Sequence, residues 1–238
     1  MSNSLVGNNI KADNADWSFG GDVYKSFDEH VNKSVPFYQE GHELIAQLSD
    51  FFLHDNSQCY DLGCSTGVLL RSIKDRHPEK TLNLTGIDLE ENMINEAKSR
   101  VDENENITYL CDDFLNIQFE KSDLIIAYYT LQFVQPQNRQ IIFDRIYDAL
   151  NWGGALILFE KVRGPDARFQ DISTSLYMDY KLSQGFNSEE IVNKSRSLKG
   201  VLEPFSTQGN MDLLERAGFE DKMTIMKYIC FEGIVAIK

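Results

Sequence analysis

Basic residues are scarce in this chain. Its 238 residues hold 23 Lys and Arg against 37 Asp and Glu, a formal net charge of −14. A surface of that sign repels phosphate backbones and excludes broad nucleic-acid binding, leaving only a local basic groove as a route to it. Long apolar runs are missing too, and none approaches the roughly 18–20 residues of a membrane span. The N-terminal MSNSLVGNNIKADNADW has neither the basic start nor the apolar stretch of a secretory signal. Cysteine is sparse: Cys59, Cys64, Cys111 and Cys230 lie far apart with no C-x-x-C. Their strand-like surroundings predict reduced thiols in a cytoplasmic protein, not a disulfide frame. His30, His42, His54 and His77 show no metal-ligand spacing, so packing or surface roles are expected of them and no metal site. Repeats and low-complexity tracts are absent.

What is there suffices for a full core. Hydrophobic residues are 42% and charged residues 25%, and the length suits one domain with an appended lid. Residues 1–16 read as a loose polar arm. Helices are expected over Val23–Val31 and from Phe37 to Phe52, where Leu44, Ile45, Leu48 and Phe52 share one face. Then the rhythm changes. Strands are predicted at Gln58–Leu62, Leu82–Ile87, Ile107–Cys111, Leu124–Tyr128 and Ala155–Phe159. Helices are predicted at Val68–Arg76, Glu90–Val101 and Arg139–Leu150, the last stopped by Gly153-Gly154. Alternation of this kind predicts an α/β fold with a parallel sheet covered on both faces. Residues 166–200 read as polar helices, one opened by an Asn187/Glu190 capping box. A helix at Met211–Arg216 follows. Strands Met223–Phe231 and Ile234–Lys238, joined across Glu232-Gly233, then close the sheet as an antiparallel hairpin. The division expected is an arm with covering helices over 1–55, and a sheet domain over 56–238 with a helical lid insertion at about 166–200.

The strongest chemical signal is Tyr60-Asp61-Leu62-Gly63-Cys64-Ser65-Thr66-Gly67, directly after one strand and before a helix. The two glycines allow a tight turn and leave room for a ligand edge. Asp61, at the strand's carboxyl end, is placed to face a cation or amine. The spacing is not the G-x-G-x-x-G of dinucleotide sites. Asp88 ends the second strand and can accept two hydrogen bonds from ribose hydroxyls, or cap the helix that follows. After the third strand, Asp112-Asp113-Phe114 offers an acid for an adenine amine and an aromatic ring for its face. Together the three strand ends outline a nucleoside-sized crevice. On the lid, Tyr177 and Tyr180 can face a cationic group by cation–π attraction or simply pack.

These residues resemble the class I S-adenosylmethionine (SAM) dependent methyltransferases, whose D-x-G-x-x-x-G stands here as Asp61 to Gly67. The resemblance implies a Rossmann-like sheet with SAM as cofactor. Its methionyl part would lie on the glycine loop, its ribose on Asp88 and its adenine at Asp113. Over about Asp16 to Lys238 the chain further resembles the carboxy-SAM synthases of tRNA wobble-uridine modification. The pieces are Asp16-Trp17-Ser18-Phe19, Ser34-Val35-Pro36-Phe37-Tyr38, the glycine loop, Thr130-Leu131-Gln132-Phe133, Gly153-Gly154-Ala155-Leu156, Glu160-Lys161 and Gly233-Ile234-Val235-Ala236. That family uses SAM and prephenate, and by resemblance Tyr38 touches the cofactor. The residues expected at the cofactor are thus Tyr38, Asp61, Gly63, Cys64, Ser65, Asp88, Leu89, Asp113 and Phe114. On the reacting side Tyr128 stands where the family has an asparagine. On the lid the family places an arginine after a lysine to bind the extra carboxylate; Lys194 matches the lysine, Ser195 takes the arginine's place, and Arg196 comes one residue late. Tyr128 and Arg196 are the candidate reacting-side residues. The expected activity is methyl transfer from SAM to a small molecule. Carboxy-SAM synthesis and a non-catalytic SAM-binding subunit are the alternatives, and a homodimer is an open option.

Overall fold

The computed structural model describes residues 4–8, 10–101 and 106–238. The chain starts with a short antiparallel ribbon, β1 (Ser4–Leu5) and β2 (Lys11–Ala12), then a 3-10 turn at Gly21–Lys25, α1 (Phe27–Ser34) and α2 (Tyr38–Leu48). Strands and helices then alternate as β3 (Gln58–Leu62), α3 (Val68–Arg76), β4 (Asn83–Asp88), α4 (Glu91–Ser99), β5 (Ile107–Cys111), β6 (Ser122–Tyr128), α5 (Pro136–Ala149) and β7 (Leu150–Lys161). Next come α6 (Ala167–Ser183), α7 (Ser188–Ser197) and α8 (Thr207–Ala217), and the hairpin β8 (Asp221–Tyr228) and β9 (Phe231–Ile237) ends the fold.

The sheet has seven strands in the order β5-β4-β3-β6-β7-β9-β8. Strands β3 to β7 pair in parallel, and β9 runs antiparallel to both β7 and β8. This is the α/β architecture expected, with the hairpin as its antiparallel edge. The central strands are buried on both faces: Leu62, Leu124, Ile125, Ile126, Ile157 and Phe159 are fully inaccessible. Each such side chain contributes about 1.5–3 kcal/mol by leaving water. Chain order reverses between β3 and β6, so the crevice for a ligand opens at their carboxyl ends.

Several local expectations need correction. Part of the arm is not loose, although residues 1–3 and 9 lie outside the described residues. Val6, Ile10, Ala12 and Trp17 form a buried cluster. The Ala15 and Trp17 N–H groups donate to the Arg196 and Ser197 carbonyls at the end of α7. The polar composition hid four well-spaced apolar side chains. The Gly153-Gly154 pair does not stop α5, which ends at Ala149. It lies inside β7, where Gly153 takes a φ of +80° and its N–H meets the Lys238 carbonyl. The closing hairpin turns at Ile229-Cys230 rather than at Glu232-Gly233. Gly233 sits within β9 because the Phe159 ring of the neighbouring strand occupies the space of its side chain, 2.6 Å from where a Cβ would stand. The Asn187/Glu190 capping box forms as expected.

Gly233→Ala is therefore expected to lower stability by about 1–3 kcal/mol through overpacking. Urea unfolding of the variant beside the parent protein measures it.

Candidate functional site

The loop after β3 forms the floor of the site. Gly63, Ser65 and Gly67 take φ values of +75°, +48° and +72°, a left-handed run that turns the chain sharply into α3. The Gly63 and Cys64 N–H groups both donate to the Ile87 carbonyl, at 2.7 and 3.1 Å. The Ser65 N–H donates to Asp88 Oδ2 at 2.9 Å. A Cβ on Gly63 would collide with the Thr130 side chain, and one on Gly67 with the Tyr109 hydroxyl. Thr66 donates to Asp28 of α1 at 2.7 Å, which ties the N-terminal helices over the loop.

Above it lies a cavity of about 930 Å³, room for a nucleoside-sized ligand and a second small molecule. Gly63, Ser65, Asp88, Leu89, Asp113, Phe114, Tyr38 and Tyr128 of the expected set all line it. Asp88 is half-buried, and burial raises its pKa above the ordinary carboxylate value. Its second oxygen accepts from the Glu90 N–H at 3.0 Å, just ahead of α4, whose N-cap is Glu90 and not Asp88, and the carboxyl faces the cavity. Asp113 accepts from the Leu115 N–H at 2.9 Å, which presents Phe114 as a wall.

Three expected residues stand elsewhere. Asp61 is buried beneath the loop and is not among the lining residues. Burial, and Asp88 next, push its carboxyl up to about 7. The Cys64 sulfur points into the core beside Gly86 and Tyr109 and is likewise not a lining group; only its backbone serves the loop. Arg196 is exposed and outside the cavity, whereas Lys194 and Ser195 line it. The turn of α7 decides this, since one step rotates a side chain by about 100°.

Tyr128 needs a different correction. Its ring lines the cavity, but its hydroxyl donates to the Tyr38 carbonyl at 2.6 Å and packs against Gly41. That hydroxyl is committed to holding α2. Its neighbour Tyr129 has the free group: the hydroxyl is buried with no partner among the described residues, and the backbone takes a φ of +59°. Gln132 holds this strained turn. Its side chain donates to the Tyr129 carbonyl at 3.0 Å and accepts from the Lys161 N–H at 2.8 Å, and its own N–H donates to Glu160 at 3.1 Å. Burial drives the Glu160 carboxyl up to about 8.

The cavity's charge pattern was not legible in the residue order. Acids Asp88, Glu90 and Asp113 sit at the ends of β4 and β5. Lys161 at the end of β7, with Lys181 and Lys194 on the covering helices, lies across the sheet from them. Burial lowers the pKa of all three lysines, that of Lys181 to about 7. Tyr177 lines the cavity with its ring against Lys161 and Lys181, and Tyr180 packs beside it without lining. A lysine's long stem usually reaches water, so its burial leaves no mark in the residue pattern.

A family model described as a methyltransferase domain matches residues 60–154. The carboxy-S-adenosyl-L-methionine synthase of Staphylococcus epidermidis is 37% identical over 93% of this chain and 97% of its own. That of Campylobacter lari is 34% identical over 93% and 94%. The chain belongs to the carboxy-SAM synthase family. Solved structures place this member's fold among the class I methyltransferases. The plantazolicin methyltransferase BpumL, solved with S-adenosylhomocysteine, aligns with a TM-score of 0.64 at 18% identity over 91% of both chains. Human N-acetylserotonin methyltransferase, solved with SAM, aligns at 0.57 and 21% identity over 91% of this chain and 57% of that one. The protein is accordingly a SAM-dependent enzyme of the transferase fold.

Two measurements check the site. Asp88→Ala should weaken SAM binding by about 1.5–3 kcal/mol, the scale of hydrogen bonds to a charged group; calorimetry on the folded variant reads it. Asp61 has a folded pKa raised to about 7 over an unfolded value near 4. The unfolded chain therefore ionises first, and this residue's contribution to stability falls as pH rises from about 4 to 7. Urea unfolding at both ends of that window should show a smaller loss in Asp61→Asn than in the parent protein.

Proposed function

We propose that the protein transfers the methyl group of SAM to a small-molecule acceptor. The donor set suits SAM. Asp88 can accept from the ribose hydroxyls, Asp113 from the adenine amine while Phe114 covers the ring, and the backbone of Gly63 to Ser65 can lie against the methionyl part with Tyr38 and Leu89 beside it. When bound, SAM supplies an electrophilic methyl group on a sulfonium. The chain's part is then to align an acceptor and exclude water. Aromatic walls from Tyr38, Tyr128, Tyr129 and Tyr177, all lining the cavity, suit a cationic sulfonium whose charge disappears as the methyl leaves.

One observation favours methyl over carboxyl transfer. In an ungapped match Ser195 takes the place of the family's carboxylate-binding arginine; it lines the cavity, and Arg196 is exposed outside it. Ser195 offers an added carboxylate a neutral hydroxyl where the family has a bidentate guanidinium. Carboxy-SAM synthesis remains the second reading, because the family relationship runs over 93% of the chain and Lys161 of the shared Glu160-Lys161 pair lines the cavity. We infer further a cytoplasmic enzyme whose covering segments, 1–55 and about 166–200, close over the domain at 56–238, and a homodimer as its assembly. No helix among the described residues is long and apolar enough to cross a membrane.

Incubation with SAM, with and without prephenate, followed by mass spectrometry, separates the readings. S-adenosylhomocysteine released only with an acceptor supports methyl transfer. A carboxylate gained by SAM when prephenate is present selects the second reading. Tight SAM binding with neither product makes this a binding subunit. Arg196→Ala should change the affinities for SAM and for carboxy-SAM by less than about threefold, as for an ordinary surface substitution. Preferential loss of carboxy-SAM binding would return Arg196 to the site.

A further inference from the structure

One hydroxyl in the wall of the cavity has no partner, and its backbone is strained. Tyr129 directly follows β6 with a φ of +59°, a left-handed conformation that costs free energy in any residue with a Cβ. Its N–H donates to the Phe159 carbonyl at 2.8 Å, and its carbonyl accepts from the Gln132 side chain at 3.0 Å. The ring is held as firmly. It stacks on Tyr38 with centroids 6.3 Å apart, and it meets Tyr128, Phe159 and Phe231 edge-on at 4.7, 5.9 and 5.8 Å. All this ordering leaves the side chain lining the cavity, 7% exposed, with its hydroxyl buried and unpartnered among the described residues. The titratable groups around it are Tyr38 from α2, Glu160 from β7, Cys230 from the β8–β9 turn and Tyr177 from α6. None of them bonds to it. The Tyr177 hydroxyl donates to the Ser34 carbonyl, and Glu160 accepts from the Gln132 N–H. A buried hydroxyl left unmet costs stability, so strain and burial together present a group whose partner is a ligand atom.

The position of the hydroxyl selects that atom. Thr130, the next residue, fills the space a side chain on Gly63 would take, so the strained turn abuts the glycine loop that suits the methionyl part of SAM. On the other side the Tyr129 ring touches Phe231 of β9, with Cys230 and Tyr177 close by. The hydroxyl thus stands where the donor half of the cavity meets the half left for an acceptor. In SAM the sulfur joins the nucleoside to the methionyl chain, and its methyl group has to point from the first half into the second. We propose that Tyr129 is a catalytic residue whose hydroxyl oxygen faces the sulfonium methyl group. This rests on the transferase reading above and adds the residue that meets the reacting carbon. The methyl hydrogens of a sulfonium carry partial positive charge, and an oxygen lone pair attracts them as a C–H···O contact. That contact fixes the direction of the methyl group. It strengthens as the methyl flattens between the leaving sulfur and the acceptor, because the hydrogens are then most positive, and so favours the transition state over the ground state. The oxygen forms no bond to the methyl carbon. Burial raises the phenol pKa well above its ordinary value, so the group stays protonated and is not itself methylated.

Three ligands that differ at one point test this by calorimetry on the full chain. SAM carries the sulfonium methyl group, S-adenosylhomocysteine lacks it, and sinefungin carries a protonated amine in its place. Tyr129→Phe keeps the ring and removes only the oxygen. It should weaken sinefungin about tenfold or more, because an ammonium N–H loses its acceptor. SAM should weaken about two- to fivefold, the scale of a C–H···O contact, and S-adenosylhomocysteine by less than about twofold. Without ligand the variant should melt at or above the parent temperature, because an unmet buried group has been removed. A lower melting temperature means that the hydroxyl has a partner in the folded chain, and it overturns the proposal. Equal losses for the three ligands, as a contact with the methionyl part would give, overturn it too, as do three unchanged affinities. A parent protein that binds none of the three removes the transferase reading and the proposal with it. A parent that binds all three, with a variant that keeps their ratios, removes the proposal alone.

Discussion

Two backbone N–H groups converge on one carbonyl, and the site is built around that point. Gly63 and Cys64 both donate to Ile87, the last buried residue of β4. This pins the end of β3 against the end of β4, beside the point between β3 and β6 where the order of the sheet reverses. Left-handed backbone at positions 63, 65 and 67 is what allows the convergence, and a side chain at 63 or 67 would collide with Thr130 or Tyr109. With the loop pinned, Asp88 holds the Ser65 N–H with one oxygen and the Glu90 N–H, just ahead of α4, with the other.

A second fastening, on the other side of the switch point, does comparable work through one side chain. Gln132 gathers Tyr129, Glu160 and Lys161 into a single network. Thr130-Leu131-Gln132-Phe133 and Glu160-Lys161, two separate pieces of family resemblance, are thereby one structural device. It holds Tyr129 in an unfavourable backbone conformation and keeps a buried carboxyl at the back of the site. The acids at β4 and β5 and the lysines at β7, α6 and α7 then give the cavity two ends of opposite character. That division suits a ligand with a neutral nucleoside, a cationic centre and an anionic neighbour.

What could be read from the residues followed the strength of the local signal. The run Gln58–Leu62 and the helix Val68–Arg76 match the structure at both ends, because a buried strand, a glycine turn and an amphipathic helix each leave a distinct pattern. Gly153-Gly154 and Gly233 misled, because glycine serves both as a stop and as a vacancy for a neighbour's backbone or ring. Only tertiary contacts tell these apart. At Tyr128 and Arg196 a single residue changes the surroundings: the unpartnered hydroxyl is on Tyr129, and the cavity side of α7 is carried by Lys194 and Ser195. At a strand end or on a helix, one residue decides which way a side chain faces. The buried lysines were the least legible, since flexible stems allow burial or exposure with equal ease and only the packing of α6 and α7 fixes the outcome.

The covering helices are fastened by groups far apart in the chain. The Tyr177 hydroxyl on α6 donates to the Ser34 carbonyl at the end of α1, 2.8 Å away. Residues 15 and 17 of the arm are bonded to the end of α7. Neither covering helix can therefore swing away alone without breaking a bond to the first part of the chain. The time a ligand dwells inside becomes a property of this clasp as much as of the groups that touch the ligand. A few hydrogen bonds outside the cavity thus couple the start of the chain to the helices that line the far ends of the strands.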